Sequence, residues 1–133
     1  MKVVVDCNIL VMCLSSRSPY HIIYQSLING KFNLVLSSEI LLEYQEIIQE
    51  KYSVPTANAL LALLKELPNV QLYTPFYKWL LVSGDPDDDK YTDCAIAGGA
   101  NFIVTEDNHF AILKTIPFPK IEVLSIDEFI QLL

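Results

Sequence analysis

The sequence predicts an α/β fold, a three-layer α/β/α sandwich around a central, mainly parallel sheet. Short β-branched runs alternate with amphipathic helical segments along the chain, which is typical of this class. The first run, KVVVD at 2–6, is continuously apolar up to its last residue, as expected for a parallel strand buried on both faces. With 133 residues, 52% of them hydrophobic, the chain suits a single domain, 1–133, with one core.

The other elements follow in order from their composition and end signals. Further strands are predicted at 33–37, 70–74, 101–105 and 121–125. Helices are predicted at about 19–30, from Ser37 or Ser38 to about 51, from Pro55 to near 68, at about 88–99 and over IDEFIQLL. Their end signals are, in order, Pro19 with Gly30, Ser37 or Ser38 as cap, Pro55 with Pro68, Gly98 with Gly99, and Ser125. Residues 107–114 are predicted as a short helix or loop, and 77–83 is ambiguous but could be extended.

Composition and charge exclude several classes of protein. No run of about 18 apolar residues is present, so we expect no membrane span, and we expect no signal peptide. Three cysteines at no metal-ligand spacing indicate reduced thiols in a cytoplasmic protein, and two lone histidines make a zinc site unexpected. The net charge of −7 argues against a broad basic surface for nucleic acid. It is compatible with a nuclease whose active-site carboxylates are clustered.

Acidic residues stand near the predicted carboxyl ends of the strands, where parallel sheets hold their functional crevice. Asp6 ends the first strand, and Asp107 follows the fourth by two residues. An acid directly after three valines is costly to bury unpaired, which favours a functional role for Asp6. Glu43 lies one to two turns into the helix after the second strand, although Glu39 or Glu46 could be the relevant acid instead.

The stretch SGDPDDDKYTDC, at 83–94, allows two interpretations. Aspartates before a helix are usually turn and cap residues, which we expect for Asp85 and Asp87. Asp89 and Asp93 are four residues apart on one helix face, and Asp88 is the alternative to Asp89. Converging carboxylates raise one another's pKa unless a cation compensates them. All-oxygen ligands select Mg²⁺ or Mn²⁺.

Three motifs carry a family resemblance over essentially the whole chain: VVVDCN, SSEILLEY and DPDDDKYTDCAIAGGANFIVTED. In this order, with a closing strand and helix, they resemble the PIN domain family. The likeness is strongest to its bacterial VapC-like ribonucleases, the toxins of toxin–antitoxin pairs. The resemblance implies a Mg²⁺- or Mn²⁺-dependent endoribonuclease that hydrolyses RNA phosphodiester bonds. It also implies an antitoxin protein as partner, and we expect a homodimer from the high apolar content.

The resemblance also implies a set of site residues. The catalytic acids are Asp6, Glu43, Asp89 and Asp107, where Asp89 is matched by its position 18 residues before Asp107. The metal would be bound by Asp6, Asp89, Asp107 and Asp93. Asn8 and Thr105 match small polar residues that orient ligands or water. Relatives often carry Asn at the Asp89 position, which leaves Asp88 or Asp93 as the third acid.

The sequence also bears on two functions other than a nuclease. A PIN-like binding module without nuclease activity, acting through a protein partner, stays open because the chain has only 9 lysines and arginines to grip RNA. A basic antitoxin, a dimer groove or a small structured substrate could compensate. A phosphotransfer fold is disfavoured, since Asn8 stands where such a phosphatase has a second aspartate and VQLYTP lacks the phosphoacceptor of a receiver domain.

Overall fold

A computed structural model of the protein describes residues 1–82 and 85–133. Five strands form one sheet in the order β3-β2-β1-β4-β5, and every pairing among the described strands is parallel. The strands are β1 (Lys2–Val5), β2 (Asn33–Leu36), β3 (Val70–Leu72), β4 (Phe102–Val104) and β5 (Glu122–Leu124). The predicted α/β class with a parallel sheet is confirmed, and each strand lies within its predicted range.

Within these described ranges, six α-helices and one 3₁₀ helix connect and flank the strands. They are α1 (Cys7–Leu14), α2 (His21–Ile28), α3 (Ser38–Lys51), α4 (Val54–Glu66), α5 (Pro86–Ala97), the 3₁₀ helix (Asn108–Thr115) and α6 (Ile126–Ile130). The prediction had no helix at α1, because its apolar run CNILVMCL follows the strand directly and lacks a separate start signal. Within the described ranges, no helix has both the length and the apolar character to cross a bilayer.

The strand order places a crevice between β1 and β4. The chain moves outward in one direction from β1 to β2 and β3, then returns to β4 on the other side of β1 and continues to β5. Right-handed crossovers therefore put the helices that join β1, β2 and β3 on one face, and α5 with the 3₁₀ helix on the other. The connections diverge beyond the carboxyl ends of β1 and β4, where parallel sheets hold ligands.

Helix α3 is anchored to the end of β1 by a buried tyrosine. The apolar positions Ile40, Tyr44 and Ile48 have helical spacing and are fully buried. The Tyr44 hydroxyl donates a hydrogen bond to the carbonyl of Val5, the last residue of β1. Glu43 precedes Tyr44, so the same contact holds its backbone close to the carboxyl end of β1.

The segment between β3 and α5 has neither helical nor strand structure over 73–82. The stretch 77–83, whose structure the sequence left ambiguous, is therefore irregular over 77–82, and its last residue, Ser83, lies outside the described residues. Two side chains of α5 form hydrogen bonds with the backbone of the 73–82 segment. Asp93 accepts a hydrogen bond from the Trp79 backbone N–H at 3.1 Å, and Asp89 accepts one from the Val82 N–H at 2.9 Å. Leu80, between these two anchors, has a φ of 54°.

Candidate active site

The ends of β1 and β4 are joined by one threonine hydroxyl. Thr105 Oγ1 donates to Asp6 Oδ2 at 2.8 Å and accepts from the Asp107 backbone N–H at 3.0 Å. Asp6 is only 6% exposed and stands at the N-cap of α1, yet it makes no side-chain capping bond to that helix. Its carboxylate is therefore directed to the strand ends.

Glu43 is drawn to the same place by α5. Its carboxylate forms an ion pair with Lys90 and accepts a hydrogen bond from the Tyr91 hydroxyl. The Tyr91 oxygen in turn accepts a hydrogen bond from the Cys7 backbone N–H at 3.2 Å. A chain of contacts therefore links α3, α5 and the start of α1 around Asp6.

These residues line an open cleft of about 420 Å³ at the carboxyl edge of the sheet. Asn8, which the structure places on the exposed surface of α1, also lines it. Carboxylates from four separate parts of the chain face this space: Asp6, Glu43, Glu46, Glu50, Asp87, Asp88 and Asp107. The chain therefore brings together the carboxylates that the sequence places far apart, and adds Glu46 and Glu50 from α3.

Asp88 and Asp107 are connected by His109. The His109 Nδ1 lies 3.1 Å from Asp88 Oδ2 and 3.4 Å from Asp107 Oδ1. Asp107 also caps the 3₁₀ helix by accepting from the His109 backbone N–H at 2.9 Å. The hydrogen bond to Asp88, with the charge of Asp107, raises the pKa of this exposed histidine. Burial raises the pKa of Asp88, while the His109 contact opposes that shift.

Asp89 and Asp93 lie outside this cleft, unlike the sequence-based placement. They share one face of α5, as their spacing predicts, but that face contacts the backbone at 79–82. The lining of the cleft contains Asp88 in place of Asp89. Neighbouring helix positions point about 100° apart, since a turn takes about 3.6 residues, and this step turns Asp89 away from the cleft and toward the backbone of Val82. Asp85, as predicted, caps α5 by accepting from the Asp87 N–H at 3.0 Å.

The family model described as PIN domain matches residues 2–109 of the chain. The protein belongs to the PIN domain family. A comparison with curated proteins finds no match. The β1–β4 crevice and its carboxylates all fall within the matched residues or directly beside them.

Several solved structures share the fold of this chain. The PIN domain is similar to a chain of VapBC2 from Rickettsia felis, crystallised with a DNA fragment from its promoter, with a TM-score of 0.64 and 18% identity over 94% of this chain and 98% of the other. It is similar to a chain of VapBC-1 from nontypeable Haemophilus influenzae, with a TM-score of 0.64 and 16% identity over 96% and 99%. The PIN domain endonuclease Utp24 gives a TM-score of 0.56 and 17% identity over 93% and 84%.

The donor chemistry of the PIN domain cleft fits a hard divalent cation. Ligand atoms of Asp6, Cys7 and Glu43 all lie within 4.8 Å of one another. Burial raises the pKa of Cys7 to about 12, so at neutral pH it is a neutral thiol and the charged donors are carboxylate oxygens. Burial also raises the pKa of Asp6, because an unneutralised carboxylate is unfavourable there. Oxygen donors of this kind suit Mg²⁺ or Mn²⁺.

Glu43 differs from Asp6 in its electrostatic environment. Burial alone would raise the pKa of Glu43, but hydrogen bonds from Lys90, Tyr91 and Cys7 hold it below its ordinary value. Glu43 therefore stays ionised at neutral pH, and one of its counter-charges comes from within the protein.

Three residues that contact the predicted acids were not identified from the sequence. Lys90 and Tyr91 hold Glu43, and His109 bridges Asp88 and Asp107. A signal for Tyr91 exists, because it follows Asp88 by three positions and therefore shares its helix face. The signal for His109 is its position two residues after Asp107.

Proposed function

We propose that this PIN domain is a Mg²⁺- or Mn²⁺-dependent endoribonuclease, the toxin of a toxin–antitoxin pair. The observation that carries the proposal is the cleft between β1 and β4. The cleft gathers seven carboxylates. Apart from His109, Lys90 is the only cation in the ion pairs that the described residues form there. Such a concentration of negative charge is unfavourable without a bound cation. Its presence in the cleft therefore supports a cation-binding function.

In the proposed site, Asp6, Asp88 and Asp107 would hold the cation, in part through bound waters, because Mg²⁺ keeps several waters and the ligand atoms of these three residues do not all lie within 4.8 Å of one another. When bound, the cation stabilises charge on a phosphodiester and activates a water molecule. Glu43, kept ionised by its hydrogen bonds, would accept a hydrogen bond from a water molecule in the cleft. Thr105 fixes the Asp6 carboxylate through its 2.8 Å bond, and an outer partner of this kind raises both ligand order and affinity.

The third acid is the point at which the geometry and the family resemblance differ. The resemblance assigns Asp89, with Asp93 as a further ligand, while the cleft contains Asp88. We assign the role to Asp88, since its Oδ2 and the Asp107 Oδ1 both contact His109 and so lie near each other. The Asp88→Asn and Asp89→Asn variants, measured side by side, decide between the two assignments.

The proposed partners follow from charge and from the similar structures. A net charge of −7 leaves few basic groups for RNA, so an antitoxin with basic segments, or a groove formed by a homodimer, would supply what the chain lacks. The VapBC structures are assemblies that share this fold, which supports a partner protein. The three cysteines are free and buried, in keeping with a cytoplasmic location.

The test is RNA cleavage by purified variants in which one carboxylate becomes an amide. Asp6→Asn, Asp107→Asn and Asp88→Asn are each expected to lower cleavage at saturating Mn²⁺ by more than about 100-fold, because loss of an outer partner alone costs 10–100-fold. Asp127→Asn, an exposed aspartate on α6, is the matched control and is expected to cleave like the wild type. Full activity in Asp6→Asn or in Asp107→Asn would contradict the nuclease proposal.

A second candidate function is a binding module without nuclease activity. It is favoured by the Lys90–Glu43 ion pair, which already neutralises one of the four acids implied by the resemblance. Calorimetry with Mn²⁺ separates the two functions. A nuclease of this type binds the ion at sub-millimolar concentration and loses that binding in Asp6→Asn, whereas no detectable heat in the wild type would support the binding module.

A further inference from the structure

A second pocket lies where α5 packs against residues 75–80 and the start of α3. It has a volume of about 130 Å³ and shares none of its described lining residues with the cleft. Three carboxylates line it: Glu39 from α3, and Asp89 and Asp93 from α5. These are acids that the proposed catalytic site leaves unused.

Asp89 has a buried oxygen without a partner. The residue is 4% exposed; its Oδ1 accepts the Val82 N–H, while Oδ2 has no hydrogen-bond partner among the described residues. A buried carboxylate oxygen left in this state is costly, and a ligand that donates to it removes the cost. The Asp89 carboxylate therefore points to a missing donor in this pocket.

Two lysines, Lys78 and Lys90, also line the pocket, but Lys90 is paired with Glu43 of the cleft, so the three carboxylates of the pocket exceed the positive charge left for them. Asp93 is one of the carboxylates affected. Burial raises its pKa, and the nearby carboxylates of Asp89 and Glu39 raise it further. The Trp79 N–H and the ammonium of Lys78 oppose the shift without cancelling it. A cationic ligand would therefore be favoured over a neutral one.

The spread of the carboxylates selects the kind of cation. Among residues 1–82 and 85–133, two sets of three residues have ligand atoms within 4.8 Å of one another: Asp6–Cys7–Glu43 and Asp85–Asp88–His109. Glu39, Asp89 and Asp93 do not form such a set. A single small ion cannot contact all three of these carboxylates directly. A guanidinium group can, because it presents five donors in a planar fork.

An apolar groove continues from this pocket. It has a volume of about 640 Å³, shares Pro75, Tyr77 and Asp93 with the pocket, and is lined beyond them by side chains such as Leu72 and Trp79. Phe76, also in the groove, is 96% exposed. A free arginine would not cover this apolar surface, whereas a polypeptide that carries apolar residues beside its arginine would.

We propose that the pocket of Glu39, Asp89 and Asp93 binds an arginine side chain of a protein partner, with the partner's adjacent apolar residues in the groove. Tyr77 and Leu80 provide surface for the alkyl stem, and the carboxylates accept from the guanidinium. The net charge of −7 complements a basic segment. The proposal does not depend on the nuclease function.

The test is a titration of the ¹⁵N-labelled full chain with the blocked peptide acetyl-Leu-Arg-Leu-amide, followed by amide chemical shifts. The amides of Trp79 and Val82 are expected to shift, because they donate to Asp93 and Asp89. The peptide in which citrulline replaces arginine keeps the shape without the charge, and is expected to bind at least about 10-fold more weakly, since buried charged hydrogen bonds contribute more than neutral ones.

Asp89→Asn is the matched variant, because its amide oxygen can still accept the Val82 N–H while the charge is lost. It is expected to weaken binding of the arginine peptide at least about 10-fold, whereas Asp127→Asn leaves binding unchanged. Equal affinity for the arginine and citrulline peptides would overturn the proposal, and this comparison needs only the wild type. It would be overturned as well if Mg²⁺ alone shifted the Trp79 and Val82 amides while the arginine peptide did not.

Discussion

Asp6 stands at a helix start where an aspartate normally caps the helix. A side-chain cap stabilises a helix by about 1 kcal/mol, and Asp6 forgoes it. Its Oδ2 accepts from Thr105 instead, on the neighbouring strand end. The position of Asp6 suits a helix cap, but its side chain contacts the strand end instead. This indicates that Asp6 serves the arrangement at the strand ends.

Thr105→Val tests how far the threonine hydroxyl positions that carboxylate. The change keeps the shape of the side chain but leaves Asp6 Oδ2 without its donor and the Asp107 N–H without its acceptor. We expect affinity for Mn²⁺, measured by calorimetry, to fall about 10–100-fold. Thr115→Val, at the far end of the 3₁₀ helix, is the control and should bind Mn²⁺ normally. Unchanged affinity in Thr105→Val would show that Asp6 needs no such support.

Thr92 offers a test of an unpaired hydroxyl. It is 0% exposed, and its Oγ1 has no hydrogen-bond partner among the described residues. Thr92→Val replaces that hydroxyl by a methyl group of similar size. We expect the free energy of unfolding, from urea titration, to rise by about 1 kcal/mol, since a buried unsatisfied polar group costs about 1–3 kcal/mol.

The matched control for Thr92 is Thr56→Val. Thr56 is exposed, and its hydroxyl pairs with the Ser53 hydroxyl at 2.8 Å at the start of α4. This variant should be destabilised or unchanged. A loss of stability in Thr92→Val of more than about 1 kcal/mol would mean that its hydroxyl has a partner after all.

At the scale of elements, α5 serves two different surfaces with adjacent residues. Asp88 lines the cleft, and Asp89 lines the second pocket. Sequence spacing predicts which residues share a helix face, and Asp89 and Asp93 do share one. It does not predict how the helix is rotated about its axis, because that rotation is set by packing against the sheet and the 75–82 segment. The directions in which Asp88 and Asp89 point were therefore the features least predictable from the sequence.

The strands were the most predictable elements, and the reason is physical. Strands such as KVVV and NLVL are buried on both faces, so their composition alone identifies them. The sequence predicts Asp6 and Asp107 at or near the carboxyl ends of two strands. The structure has both residues at one edge of the sheet. Lys90 and Tyr91 were not expected there, since their roles depend on side-chain contacts with Glu43 that only the assembled fold creates.

Gly98→Ala tests how closely α5 approaches the sheet at its C-terminal end. A Cβ at this position would lie 2.4 Å from Val35 Cγ1 and 2.9 Å from Tyr73 Cδ2, closer than van der Waals contact allows. We expect the free energy of unfolding to fall by about 1–3 kcal/mol, as for other overpacked sites. The free energies of unfolding of the wild type and of Gly98→Ala are measured by urea titration.

Gly99→Asn is the control for that variant. Gly99 has a φ of +63°, which asparagine tolerates, and nothing lies within 4 Å of its added Cβ. It should lose less stability than Gly98→Ala. If both variants unfold at the same urea concentration as the wild type, the close approach of α5 to Val35 is not a packing constraint.

For the whole molecule, acidity sets the pH dependence of stability. Burial raises the pKa of Asp6, Asp88 and Asp93 above the ordinary value of 3.8. The folded chain then binds protons more tightly than the unfolded chain between that value and the folded pKa. Stability therefore falls as the pH rises through this window, and the net charge of −7 acts in the same direction.

Without metal, we expect the wild type to melt at a higher temperature at about pH 5 than at about pH 7.5, because Asp88 and Asp107 raise the pKa of His109 above its ordinary value of 6.5 and the folded chain therefore holds this proton more tightly. Asp6→Asn removes one of the buried acids, so its decline with pH should be shallower and its melting temperature at about pH 7.5 higher. Mg²⁺ at about 100 times its Kd should stabilise the wild type by about 2.7 kcal/mol, and Asp6→Asn by much less. Melting curves that do not change between the two pH values would contradict this account.

Trp79 is the only tryptophan in the chain, and it lies in the irregular segment before α5 rather than in the core. Its backbone N–H is held by Asp93 at 3.1 Å, and its ring meets Tyr77 edge-on, with 4.7 Å between the ring centroids. Indole fluorescence from this protein therefore originates at a single, peripheral location. A change in its emission under native conditions would report that this segment has been released or covered while the sheet is still intact.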